Sequence, residues 1–504
     1  MNTPRYFLPL VLSACSVTAL SAAPAPTPSL GKVIYVGDSL THGVKTPSYR
    51  YELFKIYVDN NVKAEPVGVW EGSFNYNNNN ALVYGGKTFE NVHNAFCSRR
   101  AYQTSGRKNS GAGAGSGNAA FSSIQNWLDV GPKKDELTKG GAYPGPRLTE
   151  GGAPQTMTIL LGTNDILSDR NKSEYVPQLV EDIQAIVSYG QKANPNLQTY
   201  IMTVPVWEKD ASSGGVSNEQ MIDAVNVYNE KISQWANSQK NVTVIDINKG
   251  IQDVTKSAKN KGQGVDGFFI EDGLHFSNQG NLILGGNIAK GMGLPGRTVG
   301  LPRKAANQFS QSVGADGKAW GGPTAHGKAP VAKGAKIQDN RATLTSGNQS
   351  LVQKWLAPVD DDFTTEITYR MARTNKTDWT DTNSFSIEVG NGTETGTLNL
   401  SESMVKWGDT PIYSNDLTGH PLSVRIAHIG KDAEGGEPKA GFYVWLDGQL
   451  IGEALSSNSS DQKNGVVISA SSDQKPRVEI SAVSAEGKAL APSLSSPNKK
   501  KKAK

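Results

Sequence analysis

The chain has 504 residues, 37% of them hydrophobic and 54 of them glycine, a length that predicts two folded units and linking segments rather than one ordinary domain. Its 51 basic and 47 acidic residues nearly cancel, and five of the lysines (Lys499, Lys500, Lys501, Lys502 and Lys504) lie in the last six positions, leaving 46 against 47 elsewhere. The rest of the chain thus lacks the basic footprint that nucleic-acid binding requires, and no nucleic-acid partner is expected.

The first predicted element, residues 1–23, is a signal peptide. MNTPR carries one positive charge, YFLPLVLSACSVTAL is an apolar core too short to span a bilayer, and SAAP offers the small residues that a signal peptidase cleaves beside. Export follows as the expectation: periplasmic, secreted, or lipid-anchored at the cell surface. Leu12, Ser13, Ala14 and Cys15 resemble a bacterial lipobox, so a lipid on Cys15 and plain cleavage after Ala23 are the alternatives, and that lipid is the only membrane contact expected. In both cases Cys97 has no intramolecular partner, which predicts a chain without a disulfide and a buried, unreactive role for that thiol.

Short β-branched runs at residues 32–36, 157–161, 200–204 and 242–247 lack polar alternation, as parallel strands covered on both faces do. Helical patterns separate them. Val176, Leu179, Ile183 and Val187 recur at helical spacing with Pro177 in the first turn; a second helix opens with Ser217 and Gln220 in capping-box register and carries Ile222, Val225, Ile232 and Trp235 on its apolar face. The order predicts an α/β fold over residues 30–296, a three-layer, flavodoxin-like sandwich around a central parallel sheet. Residues 104–155, with GAGAGSG and PGPR, interrupt it as a long surface loop, or alternatively as a lid beside the site.

Residues 297–340 shift to Gly, Ala, Lys and Pro and read as a linker. Over residues 341–487 the pattern alternates, in DFTTEITYRM, SFSIEVGN, LSVRIAHI, FYVWLDGQLIGE, GVVISAS and RVEISAV, with Asp447 and Gly448 as a two-residue hairpin turn; an all-β sandwich follows. Residues 488–504, rich in Ser and Lys, are expected to be a disordered tail.

Strand ends locate the chemistry, because the carboxyl edge of an open parallel sheet is where such folds place their sites. GDSL (37–40) follows the first strand, GTND (162–165) follows another, GGKT (85–88) lies between, and DGLH (272–275) precedes the last helix. Acyl transfer would use a nucleophile, Ser39; a base to take and return its proton, His275; and a carboxylate to hold the imidazole, Asp272. Oxyanion donors would be the backbone N–H of Ser39, that of Gly86 (or Gly85), and the Asn164 amide. Asp38, His42 and Asp165 are candidates for substrate contact. His42 also competes as base, although no carboxylate is placed to orient it, and His93 reads as structural. His42, His93, Asp272 and His275 lack the close spacing of a metal motif, so neither metal nor cofactor is expected.

At these stretches the sequence resembles the SGNH (GDSL) hydrolase family, whose serine, glycine, asparagine and histidine match Ser39, Gly86, Asn164 and His275 in chain order, with Asp272 matching the family's aspartate. Around Gly86 the surroundings, VYGGKTFENV, depart from the usual pattern. Thr41 stands where a nucleophile elbow of the α/β-hydrolase type has its second glycine, which makes that fold the poorer match. The resemblance implies an ester hydrolase and leaves the substrate open among lipases, thioesterases, lysophospholipases and carbohydrate deacetylases. Two features favour an acetylated glycan. The segment VGVWEGSFNYNNNNALVYGG is rich in Asn and aromatics, and the C-terminal strands resemble glycan-binding sandwiches of the concanavalin or laminin-G type, on which Trp379, Trp407 and Tyr413 could stack against sugar rings. A lipid or aryl esterase and a non-catalytic glycan-binding protein are the alternatives.

Overall fold

A computed structural model describes residues 29–74, 82–107, 123–129, 152–168, 172–207, 218–252, 264–297, 308–312, 331–334, 336–338, 341–345, 347, 349–354, 359–373, 383–432, 438–470 and 477–489. The N-terminal residues 1–28, Ser217, Trp379, residues 490–504 and most of the 104–155 insertion lie outside these residues; residues 488 and 489, expected in a disordered tail, instead end the strand Val478–Ala489, paired with Val359–Met371.

The first sheet is built from Ser29–Gly37, Lys63–Val67, Val92–Ala95, Thr156–Leu160, Gln198–Met202 and Val242–Ile245, all parallel, with the two-residue Trp70–Glu71 antiparallel at one edge. The central strand Ser29–Gly37 pairs over Val33–Gly37 with Thr156–Leu160; on its other side Lys63–Val67 lies beside Ser29–Ile34 and Val92–Ala95 beside its last two residues. Helix Lys172–Ala193 buries Val176, Leu179, Ile183 and Val187 on one face of the sheet, and Asn218–Ala236 packs Val225 and Ile232 beside it. On the other face lie Ser48–Asp59 and Asn278–Gly291. This is the expected three-layer α/β arrangement, with one antiparallel edge strand added.

The C-terminal region folds into two antiparallel sheets. One runs Lys336–Gln338, Arg341–Leu344, Val478–Ala489, Val359–Met371, Pro421–Ile429, Gly441–Leu446 and Gln449–Leu455, with Gln308–Ser312 also paired to Val478–Ala489. The other runs Val331–Lys333, Ser350–Lys354, Asn464–Ala470, Ser384–Asn391, Thr395–Ser401, Met404–Trp407 and Thr410–Ser414. Alternating residues such as Phe385, Ile387 and Val389 point inward against Ile367, Val424 and Ile426. Three of these strands arise from residues 297–340, so that segment contributes structure to the sandwich and is not only a linker.

The sandwich is seated on the α/β domain. The strand Gly441–Leu446 is buried on both faces: Phe442, Val444 and Leu446 enter the sandwich core, while Tyr443 and Trp445 pack with Ala427, Ile429 and Leu450 around Leu282 of the Asn278–Gly291 helix. Gln449 Nε2 donates to Asn287 Oδ1 at 2.8 Å, and Gln279 Nε2 donates to the carbonyls of Ile412 (3.1 Å) and Ile451. Trp445 Nε1 donates to the Arg297 carbonyl at 3.0 Å. Below them a nearly buried ion cluster joins the halves, with Arg297 Nη1 2.6 Å and Lys55 Nζ 3.4 Å from Glu453, and Glu52 3.3 Å from Lys55.

Candidate active site

The strand Ser29–Gly37 ends where Asp38 caps the short helix Ser39–His42, accepting the Leu40 N–H at 2.9 Å. Gly37 has to lack a side chain, because a Cβ there would come within 2.1 Å of Thr41 Oγ1. Arg50, itself buried, closes the other end of the helix by donating to the carbonyls of Thr41 (2.8 Å) and His42 (3.1 Å). Ser39 is thereby held at the carboxyl edge of the sheet.

A second loop brings the partners. His275 Nε2 lies 2.8 Å from Ser39 Oγ and its Nδ1 lies 2.6 Å from Asp272 Oδ2. Because a carboxylate only accepts, Nδ1 carries the proton and Nε2 offers its lone pair to the serine hydroxyl. The other Asp272 oxygen accepts the N–H groups of Leu274 and His275, both at 2.9 Å. Partial burial pushes the Asp272 carboxyl up, but these two N–H groups and the imidazole together hold it below the ordinary carboxylate range. The two loops are tied to each other: Asn281 Nδ2 donates to Thr46 Oγ1 (3.0 Å) and to the Phe276 carbonyl (3.3 Å), and Lys45 pairs with Glu271.

Asn164, in the helix Thr163–Ser168, reaches the same edge and donates to the Arg99 carbonyl (3.1 Å) and to Asp38 Oδ2 (3.4 Å). Gly86 does not reach it. It turns the small hairpin of Val83–Tyr84 and Lys87–Thr88, where Tyr84 Oη donates to Asp59 Oδ1 at 2.7 Å and a Cβ on Gly85 would meet Val58. Asp59 ends the Ser48–Asp59 helix, whose opposite end faces the serine, so about 18 Å of helix separates them. The chain that does stand at the site is the turn 96–99. Cys97 Sγ is 3.5 Å from His42 Nδ1, the Arg99 carbonyl holds Asn164, and between them exposed Ser98 has φ of 60° and an N–H with no partner among the described residues. Nothing in the sequence marks this residue: a lone serine in a left-handed conformation has no composition signature.

Three substrate-contact candidates are placed otherwise. Asp38 has no exposed surface, and Asp165 uses both oxygens on the Ala101 N–H (3.2 and 3.0 Å), anchoring the helix Ala101–Ser105. Trp407 is 5% exposed, with its ring against Phe442 and its Nε1 donating to the Ser456 carbonyl at 2.7 Å; Tyr413 is buried on Gly250. None of these four offers a surface for stacking or binding. His42 stays beside Ser39, its pKa lowered to about 4 by burial and by Arg50, and packs on His93 at 4.8 Å. His93 is fixed by the Gly72 carbonyl (3.0 Å) and the Ala95 N–H (3.1 Å). Burial pushes the Cys97 thiol up to about 11, which disfavours the reactive thiolate. No group of three or more His, Cys, Asp or Glu able to hold a metal ion stands together among the described residues.

A family model described as GDSL-like Lipase/Acylhydrolase matches residues 33–288, just over half of the chain. The chain belongs to this family. It is an ester hydrolase. Among solved structures, a carbohydrate esterase family 3 protein from Talaromyces cellulolyticus is similar at 16% identity over 52% of this chain and 95% of its own, with a TM-score of 0.34. A Clostridium thermocellum family 3 carbohydrate esterase is similar at 18% identity over 52% and 94%, with a TM-score of 0.33. Arcelin-5, a lectin-like defense protein from Phaseolus vulgaris, gives 12% identity over 36% and 98%, with a TM-score of 0.25. No curated protein matches the sequence.

Proposed function

We propose that this family member is an exported serine esterase that removes O-acetyl groups from carbohydrate. The observation that carries the mechanism is the unbroken chain Ser39 Oγ, His275 Nε2, His275 Nδ1, Asp272 Oδ2, at 2.8 and 2.6 Å. Ser39 Oγ attacks the acyl carbon while His275 Nε2 takes its proton, and the ionised Asp272 stabilises the imidazolium. The carbonyl oxygen becomes an anion met by the N–H groups of Ser39 and Ser98 and by the Asn164 amide, which gives up its long 3.4 Å contact with Asp38 to do so; removing one such donor costs about a hundred- to a thousandfold in rate. Collapse expels the sugar alkoxide, which receives the proton from His275. Water, deprotonated by His275, then attacks the acetyl-serine, releases acetate and restores the hydroxyl.

Acetyl specificity is supported by the polar groups gathered at Ser39 among the described residues: His275 on its hydroxyl, the Asn164 amide on neighbouring Asp38, and Cys97 with the turn 96–99 on His42. Each methylene left in water forfeits about 0.8 kcal/mol. A lipid or aryl esterase is the second reading, favoured by Phe74, which is 46% exposed and sets its ring edge against His42 at 6.2 Å. Specificity constants on 4-nitrophenyl esters of increasing length, together with acetate release from acetylated glycans, decide between them. Acetyl far above octanoyl, with acetate released from at least one glycan, is expected; constants rising steadily with chain length would establish the lipase reading instead. Export, on the N-terminal segment, belongs to the same proposal and is tested by locating the enzyme in cell fractions.

A further inference from the structure

We propose that the polar cleft between the α/β domain and the sandwich is a second binding site, which holds the hydroxyl-rich chain of the substrate at a distance from the reacting ester; this rests on the carbohydrate reading above. The cleft has a volume of about 420 Å³. Its floor is rigid: Ser414 N donates to the Gly250 carbonyl at 3.0 Å, and the Tyr413 ring lies so close over Gly250 that a Cβ there would meet it at 2.1 Å. One wall, Asp246, Asn248 and Lys249, follows directly on the strand Val242–Ile245, and so lies at the same carboxyl edge of the sheet as Ser39. The opposite wall, Asn415, Asp416 and His420, comes from the sandwich just after Thr410–Ser414.

These polar groups are fixed in advance. Asn248 Oδ1 accepts the Val206 N–H (2.8 Å) while its amide donates to the Val204 carbonyl (3.2 Å). Asp416 Oδ1 accepts both the N–H (3.1 Å) and the hydroxyl (2.7 Å) of Thr418, and His420 Nδ1 donates to the Thr418 carbonyl at 3.0 Å, which leaves Nε2 as an acceptor. The Lys249 ammonium has no partner among the described residues. Carboxylates, amide, imidazole and ammonium in one cleft suit adjacent hydroxyls, each of which both donates and accepts. Among the described lining residues an acyl chain would find no apolar wall and a divalent cation only two carboxylates, one from each domain, while a phosphate would meet those two aspartates, against Lys249 and the Arg373 guanidinium that already lies 3.9 Å from Asp416 Oδ2. Val242–Ile245 lies three strands from Ser29–Gly37, about 14 Å at ordinary strand spacing. An oligosaccharide bridges that span and a monosaccharide does not.

The test titrates full-length Ser39→Ala protein calorimetrically with deacetylated xylo-, cello- and chito-hexaose, then repeats the titration with Asn415→Ala/His420→Ala added and, separately, with Lys249→Ala on the other wall. Binding of one series, weakened at least tenfold by either change in proteins with an unaltered unfolding midpoint, is expected. With Ser39 restored, the same changes should raise KM for an acetylated oligosaccharide at least tenfold more than KM for 4-nitrophenyl acetate. No binding by any series, or binding indifferent to both changes, would overturn the proposal. Glycan deacetylation with KM indifferent to both changes would overturn the cleft alone and leave the carbohydrate reading standing. Hexaose binding in an enzyme inert toward acetylated glycans would overturn the reading and leave the cleft.

Discussion

Asp38 carries a carboxyl group in a site with no exposed surface. Burial pushes its pKa up to about 7, against the pull of the Leu40 N–H, and nearby Asp165 pushes the same way. Below about pH 4 the group is protonated folded or unfolded, so its burial is harmless; as pH rises from about 4 to 7 the unfolded state loses its proton first, and stability falls by about 2 to 4 kcal/mol. Asp38→Asn keeps an acceptor for Leu40 and removes the charge, so its melting temperature should exceed the parent's at pH 8 and converge on it near pH 4; parallel curves would contradict this. Ser98 is held with φ of 60°, where a non-glycine residue costs about 1 to 3 kcal/mol. Ser98→Gly should raise the melting temperature by a few degrees and keep kcat, since the backbone N–H remains; a tenfold loss of kcat would show that the hydroxyl is what matters. That Ser39, Asp272 and His275 would come together was legible because acyl transfer needs those three chemistries at strand and loop ends, and the fold does bring them into hydrogen-bond contact. Asp165 was not, because the same carboxylate that could meet a substrate can equally cap a helix, and only the placement of Ala101 decides.

At the scale of elements, the informative run is FYVWL. Residues 442–446 are buried on both faces, and an unbroken apolar run is the mark of a strand covered on both sides. In the sequence it reads as one more sandwich strand, because the element covering its outer face, Asn278–Gly291, belongs to the other domain. The next strand brings Glu453 into the buried cluster. Burial raises its pKa, but Arg297 and Lys55 outweigh that and hold it at about 2, so it stays ionised across the physiological range, and the stability it contributes is lost only as pH falls from the ordinary carboxylate value toward 2. Glu453→Gln leaves two buried cations with Glu52 and Asp59 and should cost about 3 to 5 kcal/mol in denaturant unfolding at pH 7; a loss under 1 kcal/mol would show that the cluster is not coupled to folding.

For the whole molecule, the two halves share one core. Ile283, Leu284 and Ile288 belong to the same buried cluster as Phe363, Ile412 and Val444. The linker composition of residues 297–340 predicts separable units, with a cut near residue 300 sparing the chemistry; composition reports the solvated loops and is silent about Leu282 and Gln279, which the sandwich covers. Gln279 lies four residues after His275 on the helix that follows it. Truncation after residue 300 should therefore lower kcat on 4-nitrophenyl acetate at least tenfold and depress the melting temperature. A truncated enzyme with full kcat and an unchanged midpoint would mean that the sandwich only rests on the catalytic half.

Every step of the proposed mechanism passes through acylation of Ser39. A fluorophosphonate, which phosphonylates an activated serine hydroxyl with loss of fluoride, followed by peptide mass spectrometry of the full-length protein, measures this directly. One adduct on the peptide bearing Ser39, abolished together with esterase activity by Ser39→Ala and sharply slowed by His275→Ala, is the result the structure predicts. Stoichiometric labelling of another residue, or Ser39→Ala retaining more than about one per cent of the parent's turnover, would contradict it.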